Sequence, residues 1–405
     1  MKKLVEIALG IVTSVGGFLE IGSIATAAQG GAEFSFQLIW PIALGGLCII
    51  FLVEQSGRLA AVSGRTVPDG IRDRFGFNYF LFLLVIVGIV SLLVMGAELG
   101  GVCVALEIAT GVSFQWWALP VAFLVWLIIW KGTFGVIEKG VSLLGLVTLC
   151  FVVGAILMHP PWRQLVHGFL PTLPQHDSSR YWFTAVSILG ASISPYLFFF
   201  YSSGAIEDEW TEEYVGVNRV IATGGMSFGS LISIAVLVLA ATLFLPRGIK
   251  VAHYDQLPML LVPVFGRTGF WLFVASLGIA CLGAAMEITL EIAYLAAQGM
   301  GWNWSENQRP LAEARFSLVY TITILLGMMI VMIGIDPLKL TIFSMALTAA
   351  TLPVSIVPFL FLMNDKSYVR GYRNGWISNT VVVLIIGLAF ILAIVTIPLQ
   401  IFGGS

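Results

Sequence analysis

The chain is built from apolar runs long enough to cross a bilayer, and no other feature narrows its fold so far. A helical span needs about 20 predominantly apolar residues. Such runs lie near 4–32, 36–57, 77–109, 115–131, 140–158, 181–203, 220–245, 268–298, 315–335, 338–363 and 375–402, which predicts eleven spans. Composition agrees: 10% of the residues are charged and 59% hydrophobic, where soluble domains carry about 25% charged residues. The opening Met1, Lys2 and Lys3 before an apolar run has the outline of a signal peptide. No convincing cleavage site follows, so the run reads as the first span.

Two spans are interrupted. Residues 13–40, TSVGGFLEIGSIATAAQGGAEFSFQLIW, carry Glu20 in mid-run with Gly22 and Ser23 just after it. A charged residue at bilayer depth costs roughly 3 kcal/mol on insertion scales and normally faces a cavity or a partner. Gly22 and Ser23 weaken a helix, so the break is expected on them. Residues 187–203, SILGASISPYLFFFYSS, hold Pro195 after Gly190, Ser192 and Ser194. Proline removes a helix hydrogen bond and clashes with the preceding turn. Backbone groups freed in this way are tolerated in a membrane only where they line a polar site. Breaks in the first and sixth of the series are the sign of an inverted-repeat transporter with its site at the midplane. Ordinary kinks would account for either break alone.

The remaining features exclude more than they assign. No phosphate-binding loop, soluble domain or coiled coil is visible, which argues against a built-in ATP-driven pump. A secondary transporter, a channel or a membrane sensor remains, with the lipid bilayer as a partner and no nucleic acid, cofactor or enzymatic role. Cys48, Cys103, Cys150 and Cys281 sit in apolar runs without metal-ligand spacing and read as small core residues. His159, His167, His176 and His253 fall in two loops at irregular spacing and read as solvated. With the N-terminus cytoplasmic, only Arg163, Arg180, Arg247, Lys250, Arg267 and Lys339 of the 20 Lys and Arg lie outside. That balance predicts a cytoplasmic-membrane protein with its N-terminus in and its C-terminus out.

Glu54, Glu98, Glu107, Glu287 and Glu291 also lie in or near spans. Glu287 and Glu291 are four apart and share one helix face. Intramembrane carboxylates serve as proton or ion relays, or else pair within the bundle. The relay reading is taken for Glu98 and Glu287, and the bland one for Glu107. The aromatic run after Pro195 reads as a lipid-facing or packing surface.

Several of these stretches resemble the Nramp family of divalent-metal transporters over most of the chain. The family's first span carries Asp-Pro-Gly-Asn, Trp-Ala-Thr, Gly-Gly-Ala-Gln-Phe and Leu-Leu-Trp. Here stand Glu20-Ile21-Gly22-Ser23, Ile24-Ala25-Thr26, Gly30-Gly31-Ala32-Glu33-Phe34 and Leu38-Ile39-Trp40. GRLAAVSGRTVPDGIRDRFG and MGAELGGVCVALEIATG are similar to the loop after span two and to span three. Gly190-Ala191-Ser192-Ile193-Ser194-Pro195-Tyr196 sits on Gly-Ala-Thr-Val-Met-Pro-His. The resemblance implies an all-α membrane protein of LeuT-like fold in one domain, 1–405. Two inverted five-helix repeats, near 4–158 and 181–363, are followed by one extra helix, 375–402. A monomer suffices for this plan, and the sequence leaves the oligomeric state open.

The resemblance also implies a site, and this chain departs from it. The family's metal ligands fall on Glu20, Ser23, the Ala191 carbonyl and Ser194, so its thioether at position 194 has become a hydroxyl. Its span-six histidines are Tyr196 and Tyr201, its third-span Asp is Met95, its span-ten Gln is Met345, and a family Glu is kept as Glu98. An all-oxygen set favours hard ions, with Mg²⁺ first and Mn²⁺ second. A second reading is a small anion such as bicarbonate, Na⁺- or H⁺-coupled. Helix-terminal amides with Gly22, Ser23, Ser192, Ser194 and Tyr196 would hold it, and Glu20 would be protonated or cation-paired. A third reading is a non-transporting sensor or scaffold, since the plant ethylene-signalling protein resembles Nramp in its membrane part.

Overall fold

A computed structural model describes residues 20–132, 145–174 and 176–403. Among the described residues the chain is helical and contains no strand. The main helices are α1 Ile21–Phe34, α2 Ile39–Ser63, α3 Val67–Phe75, α4 Phe77–Thr110, α5 Phe114–Lys131, α6 Leu149–Leu157 and α7 Ser178–Ser192. They continue with α8 Pro195–Glu207, α9 Val215–Leu243, α10 Arg267–Met300, α11 Ala314–Met332, α12 Pro337–Leu362 and α13 Trp376–Gly403. Nine helical runs within the described residues are long and apolar enough to cross a membrane. The expected spans 4–32 and 140–158 lie partly outside the described residues, as do Lys2, Lys3 and Lys139. The count of eleven therefore stays an expectation.

Burial separates centre from periphery. In the most apolar stretch of the α7–α8 run, 94% of residues are buried; in α13 the figure is 22%. The broken run is the axis of the bundle, and α13 shows Leu384, Ile391 and Ile394 to its surroundings. Phe198 and Phe199, in the aromatic run after Pro195, are fully buried and pack edge-on against each other, so this run is packing surface.

Local chemistry sets the helix ends nearest the breaks. Pro195 opens α8, where a missing N–H costs nothing because the first amides of a helix have no partner within it. Asp336 caps α12, its carboxylate accepting from Leu338 N at 2.9 Å and Lys339 N at 3.2 Å, with Pro337 next in line. At one end of the bundle α1 and α7 are clamped together. Arg180 Nη2 donates to Glu33 Oε1 at 2.7 Å and a second guanidinium nitrogen meets Oε2, a two-point pairing that fixes orientation. Phe34 packs edge-on against Tyr181 and stacks on His176 beside the clamp.

Candidate functional site

α1 begins at Ile21, and Glu20 before it is extended, with φ −110° and ψ 166°. Gly22 and Ser23, on which the break is expected, lie in the first helical turn, and the chain before Glu20 lies outside the described residues. A different property of Gly22 matters. A Cβ there would come within 2.6–2.9 Å of Met345 Cε, Sδ and Cγ, so the missing side chain makes room for α12. Ser23 is buried in the same turn.

The second break is where the sequence puts it. α7 ends at Ser192, Ile193 and Ser194 leave helical geometry, and α8 starts at Pro195. The helical acceptor rule gives the Ala191 carbonyl a partner at residue 195, and proline has no N–H to offer. That carbonyl is freed by covalent structure alone. Gly190, one residue earlier, lets α12 approach: a Cβ on it would stand 2.1 Å from the Met345 carbonyl oxygen.

The start of α1 and the α7–α8 break meet through side chains. Ser194 Oγ donates to Glu20 Oε1 at 3.3 Å and also lies 3.3 Å from the Gly190 carbonyl. The Tyr196 hydroxyl hydrogen-bonds the same carboxylate. Glu20 is fully buried, and its Oε2 has no hydrogen-bond partner among the described residues. Ser192 is not brought to this point. Its hydroxyl donates to Ile188 O at 2.8 Å on its own helix, and its Cβ faces Gly45 of α2. Helical spacing decides this, since Ser192 lies on the opposite side of α7's last turn from the break.

Glu98 of α4, expected as a relay, caps α1. The Ile21 N–H donates to its Oε1 at 3.0 Å and Oε2 at 3.3 Å, which supplies one of the amides that a helix start leaves without a partner. The Cys281 thiol of α10 hydrogen-bonds the other side of Glu98. Cys281 is thus a neighbour of the site as well as a core residue, and nothing in its sequence context could have revealed this. Glu287 is half-buried on α10, and it acts electrostatically on the Tyr196 hydroxyl together with Glu20 and Glu98.

Two family positions acquire physical roles. Met95 is fully buried and packs its sulfur into the notch at Gly327 of α11, so it belongs to an apolar interface. Met345 wedges between the two broken helices at Gly22 and Gly190. Met345 of α12 brings a thioether against Gly22, two residues after Glu20.

Neither Glu20 nor Glu98 forms an ion pair with Lys, Arg or His among the described residues. Glu54, in contrast, pairs with Arg58 at 3.1 Å and Arg219 at 3.5 Å. Two buried carboxylates beside a helix break, with hydroxyls and a freed carbonyl at hand, form a locus of negative potential suited to a cation. Among the described residues no three His, Cys, Asp or Glu side chains converge as a preformed metal cage. An ion here would rely on hydroxyl, carbonyl and water oxygens as well. The loop histidines are dispersed: His159 bonds the Leu157 carbonyl, His176 stacks on Phe34 and His253 faces Asp336.

Comparison with known proteins bears on family and fold. The family model described as "Natural resistance-associated macrophage protein-like" matches residues 10–398. The "Divalent metal cation transporter MntH" of Caldanaerobacter subterraneus subsp. tengcongensis is 24% identical over 387 residues, covering 93% of this chain and 88% of that protein. The Eremococcus coleocola manganese transporter, crystallised with an aromatic bis-isothiourea compound, superposes with a TM-score of 0.79 at 19% identity, over 98% of this chain and 87% of that one. Mhp1, a nucleobase-cation-symport-1 family transporter, superposes at 0.62 with 14% identity, covering 98% and 92%. At these identities the structural likeness shows the fold, and that fold is LeuT-like.

Proposed function

The chain belongs to the Nramp family, and we propose that it carries a divalent metal cation across a membrane through the point where α1 and the α7–α8 run are broken. It is an integral membrane transporter of a small ion and not an enzyme, as its family is. The observation that carries the finer reading is the Glu20 carboxylate: fully buried, joined to the second break through Ser194, and with one oxygen uncommitted among the described residues. The ligands we assign are Glu20, the Ser23 and Ser194 hydroxyls and the Ala191 carbonyl, with Tyr196 orienting the carboxylate. This oxygen set suits Mg²⁺ first and Mn²⁺ second. The Met345 thioether beside Gly22 supports Mn²⁺ as more than a bystander.

Bicarbonate fits less well. A small anion would be drawn to the amides that open α1, but Glu98 already accepts from Ile21 N, and Glu20 lies alongside. Two carboxylates would confront it. The two breaks facing each other support a division into repeats 4–158 and 181–363 with the extra helix 375–402. The Lys and Arg balance supports an orientation in the cytoplasmic membrane with the N-terminus inside and the C-terminus outside. The deciding experiment is uptake into proteoliposomes of Mg²⁺, Mn²⁺ and bicarbonate side by side, with and without pH and Na⁺ gradients. Bicarbonate flux with neither metal moving would refute the cation reading.

A further inference from the structure

α10 carries polar residues at 287, 291, 294 and 298, a spacing of i, i+4, i+7 and i+11 that keeps them on one helix face. The stripe spans about 16 Å at 1.5 Å per residue. Its upper end is Glu287, within electrostatic reach of Tyr196 at the candidate site. Its lower end is a polar cluster among the loops at one face of the bundle. There Tyr294 bonds Glu306 and lies 3.5 Å from Glu207 Oε1. Gln298 donates to Ser203 Oγ at 2.9 Å and accepts from Thr66 Oγ1 at 3.0 Å.

Glu291, between these ends, is fully buried. Ser91 of α4 faces it, yet neither carboxylate oxygen has a hydrogen bond of normal geometry among the described residues. The titratable groups on the neighbouring helices are engaged elsewhere. Glu98 of α4 caps α1, Tyr196 of α8 meets Glu20, and Tyr201 of α8 donates to Asn218 at 2.9 Å. Glu207 of α8 accepts from Ser305 and Asn307, and Arg72 of α3 binds the Gln298 carbonyl. The exception is Tyr320 of α11, which packs its ring edge-on against Phe316 and whose buried hydroxyl has no hydrogen-bond partner among the described residues. An unpaired buried charge is expensive, so a carboxylate in this setting carries either a proton or a cation. A metal cation needs several oxygen ligands; Ser91 offers one, and the carbonyls of α4 and α10 are tied into their helices. A proton needs only the carboxylate.

We propose that Glu291 is a proton-carrying residue that links the candidate ion site with the Tyr294–Glu207–Glu306 cluster. The step is a proton transfer along the α10 stripe: Glu291, protonated at rest, releases its proton toward the cluster, regains one from Glu287, and Glu287 regains one from the side of the candidate site, so one proton crosses and each carboxyl ends as it began. The role in transport rests on the reading of the chain as an ion carrier; the protonation site does not.

Two measurements test it. The first uses acid-minus-alkaline infrared difference spectra of the purified protein in lipid, with no substrate present. Wild type should show a carboxylic-acid carbonyl band that is missing in Glu291→Gln and returns at a shifted position in Glu291→Asp. The second uses proteoliposomes loaded with a pH-sensitive dye. Proton flux driven by Mn²⁺ or Mg²⁺ should fall on the order of 100-fold in Glu291→Gln, with downhill ion flux retained. Identical spectra for wild type and Glu291→Gln, or equal proton flux in the two, would overturn the proposal. If wild type moves no ion at all, the transport reading fails, and the infrared band alone decides whether Glu291 holds a proton. Should Glu291→Gln not fold, the shifted band of Glu291→Asp carries the same test.

Discussion

Replacing Glu20 by Gln removes one charge and almost nothing else. The amide matches the carboxyl in size, and its oxygen can still accept from Ser194, now 3.3 Å from Oε1. The uncommitted Oε2 becomes an NH₂ group in a setting where no partner is lost. Fold stability should therefore change little, since the amide is close in size and shape to the carboxyl it replaces. Ion binding should collapse. At an effective dielectric near 20, two unit charges 4 Å apart interact by about 4 kcal/mol, and a divalent ion doubles that to roughly 8. Desolvation of the ion takes part of this back. Losing one partner of a buried pair costs about 3–5 kcal/mol net, which weakens binding by roughly 10²- to 10⁴-fold at 1.36 kcal/mol per decade. Glu98 is committed to capping α1 through the Ile21 amide and to the Cys281 thiol. The assay is ²⁸Mg²⁺ or ⁵⁴Mn²⁺ uptake into proteoliposomes with wild type and Glu20→Gln at matched protein, alongside thermal unfolding of each. Metal flux unchanged by the substitution would refute the reasoning. Retained bicarbonate flux with lost metal flux would show that both ions pass and that only the metal needs the charge.

Other consequences follow from the same geometry. Calorimetry should find no high-affinity Cd²⁺ isotherm in wild type, because position 194 carries a hydroxyl in place of a thioether; Ser23→Asn with Ser194→Met should raise Cd²⁺ affinity, and micromolar binding by wild type would contradict this. Gly190→Ala should be far more damaging than Gly22→Ala. The first Cβ meets the Met345 backbone carbonyl at 2.1 Å and the second only its flexible side chain at 2.6–2.9 Å; overpacking of this kind costs about 1–3 kcal/mol or more. Folded yield by size exclusion checks it, and Met345→Ala should rescue Gly22→Ala but not Gly190→Ala. Breaking the α1–α7 clamp with Glu33→Gln should cost about 1–3 kcal/mol, read from thermal unfolding in detergent, with Arg180→Gln adding little on top; full additivity of the two would mean the pair is not coupled.

Much of this protein is legible in its sequence, because hydrocarbon imposes a one-dimensional rule. Span length follows from bilayer thickness, and Pro195 dictates the second break by lacking an N–H. The same missing N–H frees the Ala191 carbonyl. Glu20 stands out because a carboxylate in an apolar run has few structural excuses. Other features depended on which helix faces meet. α1 starts at Ile21, with Gly22 and Ser23 buried in its first turn, where local propensity yields to packing. Ser192 turns toward Gly45, a consequence of its angle around α7 that the motif alone does not express. Glu98 as a cap on α1, Cys281 as its neighbour and Met345 as the wedge between the broken helices come from residues 77 or more positions apart meeting in space. The isolation of Glu291 has the same origin. Its spacing from Glu287 is written in the chain, but the absence of a countercharge around it among the described residues arises only when α4, α8 and α10 pack together.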